Sequence, residues 1–489
     1  MKSTGKIKYI QGLLKTKQIS CLELTNAFLK KIEKHNNELN AYIKITEDTA
    51  KKVAKKVDEK ITKGLPLMPL EGIPLTLKDN ILTKGIETTC CSNMLKGYIP
   101  SYDATVWSIL KNQNAVLLGK ANMDEFAMGC SCGTSCFGGA KNPHDTNRVP
   151  GGSSGGSAAA VSANLAVYSL GTDTGGSIRQ PSSFCGIVGL KPTYGALSRY
   201  GVVAFASTLD QVGPMAQTVE DVSIIYDNLA IKDKMDSTSL GIMGEKTYQN
   251  LNNDISGMKI GLPKQYFEGL DIDVRASINN AIDVYKSLGA EFVELDMPNI
   301  KYSLPIYYIL ATAEASSNLA RFDGIRFGHR SNNYNNVIEL MANSRAEGFG
   351  EEVKRRLLLG TYMLNSSSKN AYIKEAKKIR GATLKSFDEA FEKCDVILSS
   401  TVPSTAFEHD FVPEDQMQAY MTDICTVPVN IAGLPAVSVP CGKDSNGMPI
   451  GMQLIGNRFK ESTILNVANK FEKVTNLRLL DDINMGVRL

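Results

Sequence analysis

From Val149 to Thr172 the chain carries no charged side chain other than Arg148 just before it and Asp173 just after, and a glycine-serine cluster stands at each end of that stretch: Pro150-Gly-Gly-Ser153-Ser-Gly-Gly156 and Thr174-Gly-Gly-Ser177-Ile-Arg179. The uncharged window is built of Gly, Ser and Ala with several turn formers rather than a Leu/Ile-rich span, which excludes a membrane helix. Ser157 to Asn164 suits a short helix of small residues. Ala166 to Leu170 suits a buried strand running into the Thr-Asp-Thr-Gly-Gly-Ser turn. Successive glycines take positive φ and let the backbone approach a ligand, so several N–H groups can face one concavity. Such a nest binds anions, including the oxyanion of a tetrahedral intermediate.

The rest of the chain alternates strand and helix patterns. Ser20 and Glu23 form a capping box ahead of Leu24, Phe28 and Ile32, and the first 65 residues read as helical. Ile73, Leu75 and Leu77 then alternate with Pro74, Thr76 and Lys78 in a strand ending at Asp79-Asn80, which puts Lys78 at a strand end on the face opposite Leu77. Ala115–Leu118, Lys259–Leu262, Phe292–Leu295, Val396–Leu398, Ala436–Val439 and Met452–Ile455 read as further strands. Between them lie helical patterns such as Ile278, Ile282, Tyr285 and Leu288, closed by Gly289, and a long charged region over 330–393. Gly129 to Gly156 is too poor in apolar periodicity for regular structure, and long loops in compact domains are usually functional. This alternation predicts an α/β protein with helices on both faces of the sheet.

With 489 residues and 43% hydrophobic content the chain can bury a large core, and neither an internal repeat nor a low-complexity linker divides it. Lys and Arg (54) nearly balance Asp and Glu (51), so no chain-wide field draws it to nucleic acid or to an anionic membrane. The N-terminus interleaves charge with apolar residues and has no secretory h-region, so a cytoplasmic protein is expected. Ten scattered cysteines then read as reduced thiols. Cys130, Cys132 and Cys136 lack the paired hooks and fourth ligand of a metal site, and His35, His144, His329 and His409 are dispersed. No metal is expected.

Three chemistries compete for the glycine-serine turns. A phosphate cradle fails in detail, because neither G-x-x-x-x-G-K-[ST] nor G-x-G-x-x-G stands at a strand-to-helix junction. An α/β-hydrolase elbow fits G-x-S-x-G twice, around Ser153 and around Ser154, but needs an Asp and then a His downstream. The later histidines are His329, among charged neighbours, and His409, in a turn-like segment. The third pairs a serine with a lysine, and Lys78 at its strand end is the natural candidate.

Here the sequence resembles the amidase signature family: Lys78-Asp79-Asn80, Gly151-Gly-Ser-Ser-Gly-Gly156 and Gly171-Thr-Asp-Thr-Gly-Gly-Ser-Ile-Arg179 look like its three blocks, in order. The resemblance implies a single large α/β domain over 1–489, with a mixed twisted sheet covered by helices on both faces. Within it are expected an N-terminal helical segment (1–65), a catalytic core (67–215), a mainly helical region shaping the substrate pocket (270–393) and a C-terminal sheet and helix completing the core (394–489). It also implies Ser177 as nucleophile, Ser153 as bridging serine after a cis peptide, and Lys78 as base. Backbone N–H groups of Thr174, Gly175, Gly176 and Ser177 would form the oxyanion hole, with Asp173 and Arg179 supporting the turn. A lysine can be a base only if its pKa falls well below about 10.4, which burial accomplishes by disfavouring the ammonium form.

Within the family, Ala313-Glu-Ala-Ser-Ser-Asn318, Arg321-Phe-Asp-Gly-Ile-Arg326, Ala346-Glu-Gly-Phe-Gly350 and Asp423 through Pro428-Val-Asn-Ile-Ala-Gly433 are similar to the A subunits of glutamyl-tRNA(Gln) amidotransferases. That similarity implies a glutaminase that passes ammonia to a B subunit, which uses ATP and Mg2+ to amidate glutamyl-tRNA(Gln), while a C subunit clamps the two. On this reading tRNA is held mainly by the B subunit, and the chain has no cofactor of its own and no membrane partner. Free glutamine presents a carboxylate and an ammonium, so its pocket wants one Arg and one acid. By position in the matched blocks these are Arg356 and Asp423, with Tyr307 or Tyr308 lining the pocket. The alternatives are a free-standing amidase of small or aryl amides and a non-catalytic docking subunit. One block departs from the pattern: after Met123-Asp-Glu-Phe-Ala-Met128 the usual Ser/Thr-Glu-Asn-Ser run is replaced by Gly129-Cys-Ser-Cys-Gly-Thr-Ser-Cys136.

Overall fold

A computed structural model of the chain describes residues 5–241, 246–365, 371–409 and 421–477. The outermost ends of the expected N-terminal and C-terminal segments, residues 1–4 and 478–489, lie outside the described residues, as does 366–370 within the expected helical region. Eleven strands form one mixed sheet: β1 (Tyr42–Ile45), β2 (Pro74–Lys78), β3 (Val116–Ala121), β4 (Tyr168–Asp173), β5 (Val188–Lys191), β6 (Gln211–Ala216), β7 (Lys259–Pro263), β8 (Glu291–Leu295), β9 (Val396–Ser400), β10 (Ala436–Lys443) and β11 (Pro449–Gly456). Their order is β1-β3-β2-β4-β6-β5-β10-β11-β9-β7-β8.

Both faces of the sheet are covered, and the side-chain alternation of single strands shows it. In β9, Val396 and Leu398 enter the main core cluster while Ile397 enters a different one. In β11, Met452 and Leu454 take the first face and Ile455 the second. A strand buried on both faces reads as a continuous apolar run rather than an alternation, which is why these segments are visible in the sequence. The main cluster gathers apolar faces of the helices Lys6–Lys15, Cys21–Leu39, Glu47–Thr62, Val219–Leu229, Ile272–Ser287 and Glu461–Thr475. A second cluster joins the helices Ser303–Asn318 and Glu351–Asn365 to Met123, Phe126 and Met128.

Several expectations are corrected. The first 65 residues are not wholly helical: β1 sits between two helices and pairs antiparallel with β3. β1, β5 and β6 escape a reading based on apolar runs, because Lys44, Lys191, Gln211 and the glycines of β5 and β6 break the pattern. The helix of small residues runs Gly155–Ser162, two residues earlier than expected, and β4 runs on through Gly171-Thr-Asp173 into what reads as a turn. The Ser20–Glu23 capping box forms as expected.

The core of the sheet fixes the site. β2 and β4 are parallel neighbours, with Leu77 opposite Leu170, so their C-terminal ends emerge side by side. Lys78 is the last residue of β2 and Asp173 the last of β4. The helix Gly155–Ser162 lies close against this edge because it is small: a Cβ on Gly156 would stand 2.5 Å from the Asn122 carbonyl and 2.6 Å from that of Ala41.

Candidate active site

Lys78 is fully buried. Its Nζ lies 2.7 Å from Ser153 Oγ, 2.8 Å from Ser154 Oγ and 3.3 Å from the Thr172 carbonyl. Ser154 Oγ in turn donates to the Thr172 carbonyl at 3.1 Å, so towards Lys78 it acts as an acceptor. A neutral amine has two hydrogens and one lone pair. Given to Ser154 and the Thr172 carbonyl, the two hydrogens leave the lone pair aimed at the Ser153 hydroxyl. Burial pulls Lys78 down to about 8, against the charge of Asp124 and, more weakly, of Cys132, Asp173 and Asp210.

Ser177 lies in the turn that follows β4 and keeps only 8% of its surface exposed. The Gly152–Ser153 peptide is cis, as the family resemblance implies. The Ser154 N–H donates to the Ser177 carbonyl at 3.2 Å, which ties the two glycine-serine clusters together. Among the described residues no hydrogen bond joins the Ser153 and Ser177 hydroxyls, so that step of a relay is not made in this state.

The turn is shaped from three sides. Gly176 has φ +146° and Gly175 packs so closely that a Cβ there would meet Tyr307 Cζ at 2.7 Å. A Cβ on Gly176 would meet Thr426 Cβ at 2.9 Å and Asp423 Oδ1 at 3.3 Å. Thr174 Oγ1 donates to Asp210 at 2.7 Å. Asp173 accepts from Arg179 Nη2 at 3.0 Å, Arg179 Nε at 3.1 Å, Asn430 Nδ2 at 2.8 Å and the Ile178 N–H at 3.1 Å. Burial alone would push Asp173 up, but Arg179, helped by Lys191 and the Asn430 hydrogen bond, outweighs it and holds the carboxyl down to about 2. The amides of Gly175, Gly176 and Ser177 have no acceptor among the described residues. Buried N–H groups are rarely left so, and three in succession form a donor nest for an anionic oxygen.

The residues expected to bind substrate converge beside this turn. The Arg356 guanidinium lies 5.4 Å from the Tyr308 ring and 5.8 Å from the Phe205 ring, and its Nε pairs with Glu352 at 2.7 Å. Tyr307 and Tyr308 meet edge-on with ring centroids 5.1 Å apart. Burial pushes Asp423 up to about 7, with Arg356 as the strongest opposing charge.

Several neighbours receive no role from the sequence. Ser154, Asp124, Gln180, Thr426 and Asn430 all touch the machinery. Gln180 accepts from the Gly152 N–H at 2.8 Å and donates to the Cys130 carbonyl at 2.8 Å. The divergent Cys130-Ser-Cys132 segment wraps this edge: Cys130 bonds Thr422 and feels Asp423 and Arg356, whereas Cys132 feels Asp124 and Lys78. Cys136 faces Lys96 and Glu125 instead, so the three thiols do not share one environment. Among the described residues no group of His, Cys, Asp or Glu could hold a metal ion, and no helix is long and apolar enough to cross a membrane.

A buried lysine held against a serine, a second serine in an adjoining glycine turn and a nest of free amides, all at one edge of an α/β sheet, are features of an amide hydrolase. The chain belongs to the amidase family, which it matches over residues 23–465. It is 52% identical to the A subunit of the glutamyl-tRNA(Gln) amidotransferase of Carboxydothermus hydrogenoformans, over 96% of each chain. The crystal structure of the A subunit of the Thermotoga maritima glutamyl-tRNA(Gln) amidotransferase superposes with a TM-score of 0.77 at 39% identity, over 93% of each chain. The peptide amidase of Stenotrophomonas maltophilia superposes with a TM-score of 0.81 at 28% identity, over 96% of this chain and 97% of that one.

Proposed function

We propose that this chain is the glutaminase subunit of a glutamyl-tRNA(Gln) amidotransferase, acting through Lys78, Ser153 and Ser177. The observation that carries the reading is the pair of opposite charges beside the nucleophile turn: Asp423 reaches Gly176, and Arg356 shares its electrostatic environment. An acid and a guanidinium beside one amide-cleaving site match the ammonium and carboxylate of a free amino acid. The helical region 270–393 supplies Arg356, Tyr307 and Tyr308 and so shapes this pocket.

The chemistry follows. Lys78 takes the Ser153 proton while Ser153 takes that of Ser177, and Ser177 Oγ attacks Cδ of glutamine. The oxyanion is received by the amides of the Thr174–Ser177 turn, each such donor being worth on the order of 3 kcal/mol in the transition state. As the C–N bond breaks, the proton returns through Ser153 to the leaving nitrogen, and ammonia departs from a γ-glutamyl ester. Water attacks the ester through the same relay, releasing glutamate and restoring Ser177. The ammonia would pass to a B subunit, where ATP and Mg2+ activate glutamyl-tRNA(Gln), and a C subunit would clamp the pair. This fits a chain whose net charge is only +3, since the tRNA would be gripped elsewhere.

The test is ammonia release from glutamine by the complex carrying Ser177→Ala. The expected result is loss of release to background. Release at the wild-type rate overturns the mechanism, and a stable, fully active monomer without partner subunits overturns the amidotransferase role.

A further inference from the structure

The block Met123-Asp-Glu-Phe-Ala-Met128 takes no step in the chemistry above beyond the charge that Asp124 sets against the burial of Lys78, yet both of its adjacent carboxylates are buried. Unpaired buried carboxylates are costly, so each needs its donors. Asp124 finds three: the Cys132 N–H at 2.9 Å, the Thr134 N–H at 3.2 Å and Thr134 Oγ1 at 3.0 Å. Its own N–H donates to the carbonyl of Ser153 at 3.2 Å. A Cβ on Gly152 would collide with the Asp124 carboxylate, so the carboxylate lies directly against the residue before the bridging serine. Asp124 therefore holds the Ser153 end of the site.

Glu125 reaches the other way. Its Oε2 accepts from the Gly350 N–H at 2.9 Å, and Ser92 Oγ donates to its Oε1. Gly350 immediately precedes the helix Glu351–Asn365, which carries Arg356 on a buried face. Phe126, the next residue, stacks edge-on against Phe349 with centroids 5.6 Å apart, so the same turn is wedged under the start of that helix. The Glu125 N–H donates to Thr134 Oγ1 at 2.9 Å, which joins the two acidic residues through one threonine.

We propose that Asp124 and Glu125 form a two-armed brace of positioning residues, in which Asp124 sets the bridging serine and Glu125 sets the helix that presents Arg356 to glutamine. The proposal rests on the glutaminase reading above. It divides the kinetic effects of two adjacent residues, which a merely structural role would not do.

The experiment measures kcat and KM for glutamine in the complex with its partner subunits. Glu125→Ala should raise KM about tenfold and change kcat by less than about threefold, because Arg356 contributes to binding glutamine rather than to breaking its amide. Glu125→Gln keeps an acceptor for the Gly350 N–H and should return KM to within about threefold of wild type. Asp124→Asn should lower kcat about a hundredfold with little change in KM, since small displacements of a reacting group are costly. Thr134→Val removes one donor from Asp124 together with the acceptor of the Glu125 N–H, so it should lower kcat and raise KM together, each by about threefold to tenfold. Equal effects of the Glu125 and Asp124 variants on both parameters, or no effect of either, overturn the brace. So does a Glu125→Gln variant as impaired as Glu125→Ala. Wild-type complex that releases no Ser177-dependent ammonia overturns the glutaminase reading and this proposal with it, and is seen before any brace variant is compared.

Discussion

Thr426 Oγ1 donates to the carbonyl of Gly175 at 2.7 Å, and its own carbonyl accepts from Arg179 Nη1 at 3.1 Å. One residue from the C-terminal part of the chain thus clamps the turn that holds the free amides, and it stands three residues after Asp423. The same segment that would bind the ammonium of glutamine also fixes the direction of the Gly175 peptide.

Thr426→Val keeps the volume and removes this clamp. It should lower kcat about tenfold, because the donors of the nest would no longer be held where the oxyanion forms. Thr426→Ser should recover to within about threefold. Steady-state glutaminase kinetics on both variants check it; a Val variant with wild-type kcat would show that the turn needs no clamp.

The lysine predicts a pH profile. Burial brings Lys78 down to about 8, and only the neutral amine can accept a proton from Ser153. The rate at saturating glutamine should therefore rise with pH through about 8 and level above it. Lys78→Met should cost about ten-thousandfold or more in kcat. The sign for stability is set by the same shift: between about 8 and the unfolded value near 10.4 the unfolded chain binds the extra proton, so Lys78 makes the fold more stable as pH rises through that window. Lys78→Met should remove this slope, which unfolding by urea at pH 8 and pH 10 measures.

The lysine also shows how much is legible in the sequence. Its place at a strand end follows from the Ile73–Leu77 alternation, and the glycine-serine turns stand out because no other residue gives their backbone. The burial of Lys78 does not follow, since strand ends usually face water; the Ser153-Ser154 segment and the end of β4, folded against its amine, decide it. Ser177, Ser153 and Asp173 fall in contiguous motifs. Ser154 stands inside one of these motifs, but nothing local separates its role from that of its neighbour. Thr426, Asn430 and Gln180 act through contacts that no local pattern encodes, some of them made across more than two hundred residues. Asp124 and Glu125 do leave a signal, two acids set among Met, Phe and Ala, which is a mark of buried charge. β1, β5 and β6 are hidden for a plainer reason, because β1 and β5 have only four residues each and β6 is interrupted by Gly213 and Pro214.

Glutamine recognition gives a separate prediction. Arg356→Lys removes a planar fork that can hold a carboxylate with two hydrogen bonds, and should raise KM for glutamine about tenfold or more with a smaller effect on kcat. Asp423→Asn should do the same for the ammonium. Because burial pushes Asp423 up to about 7 in the free protein, the wild-type KM should fall as pH rises through about 7, and Asp423→Asn should lose that dependence. A KM that stays constant from pH 6 to pH 8 in the wild type would remove Asp423 from the pocket.

Asp173 and Arg179 are both fully buried and bonded at two points, and they hold the turn from below. Removing one partner of such a pair leaves a buried charge uncompensated. Arg179→Met should therefore cost about 3–5 kcal/mol of stability. The pair also has a definite pH window. The folded Asp173 carboxyl is held down to about 2, below its unfolded value near 3.9, so its contribution is complete above about 4 and is lost as pH falls towards 2. Urea unfolding at pH 6 and pH 3 on wild type and Asp173→Asn tests this. The wild type should lose more stability than the variant over that interval, and equal losses would place the acid sensitivity of the fold elsewhere.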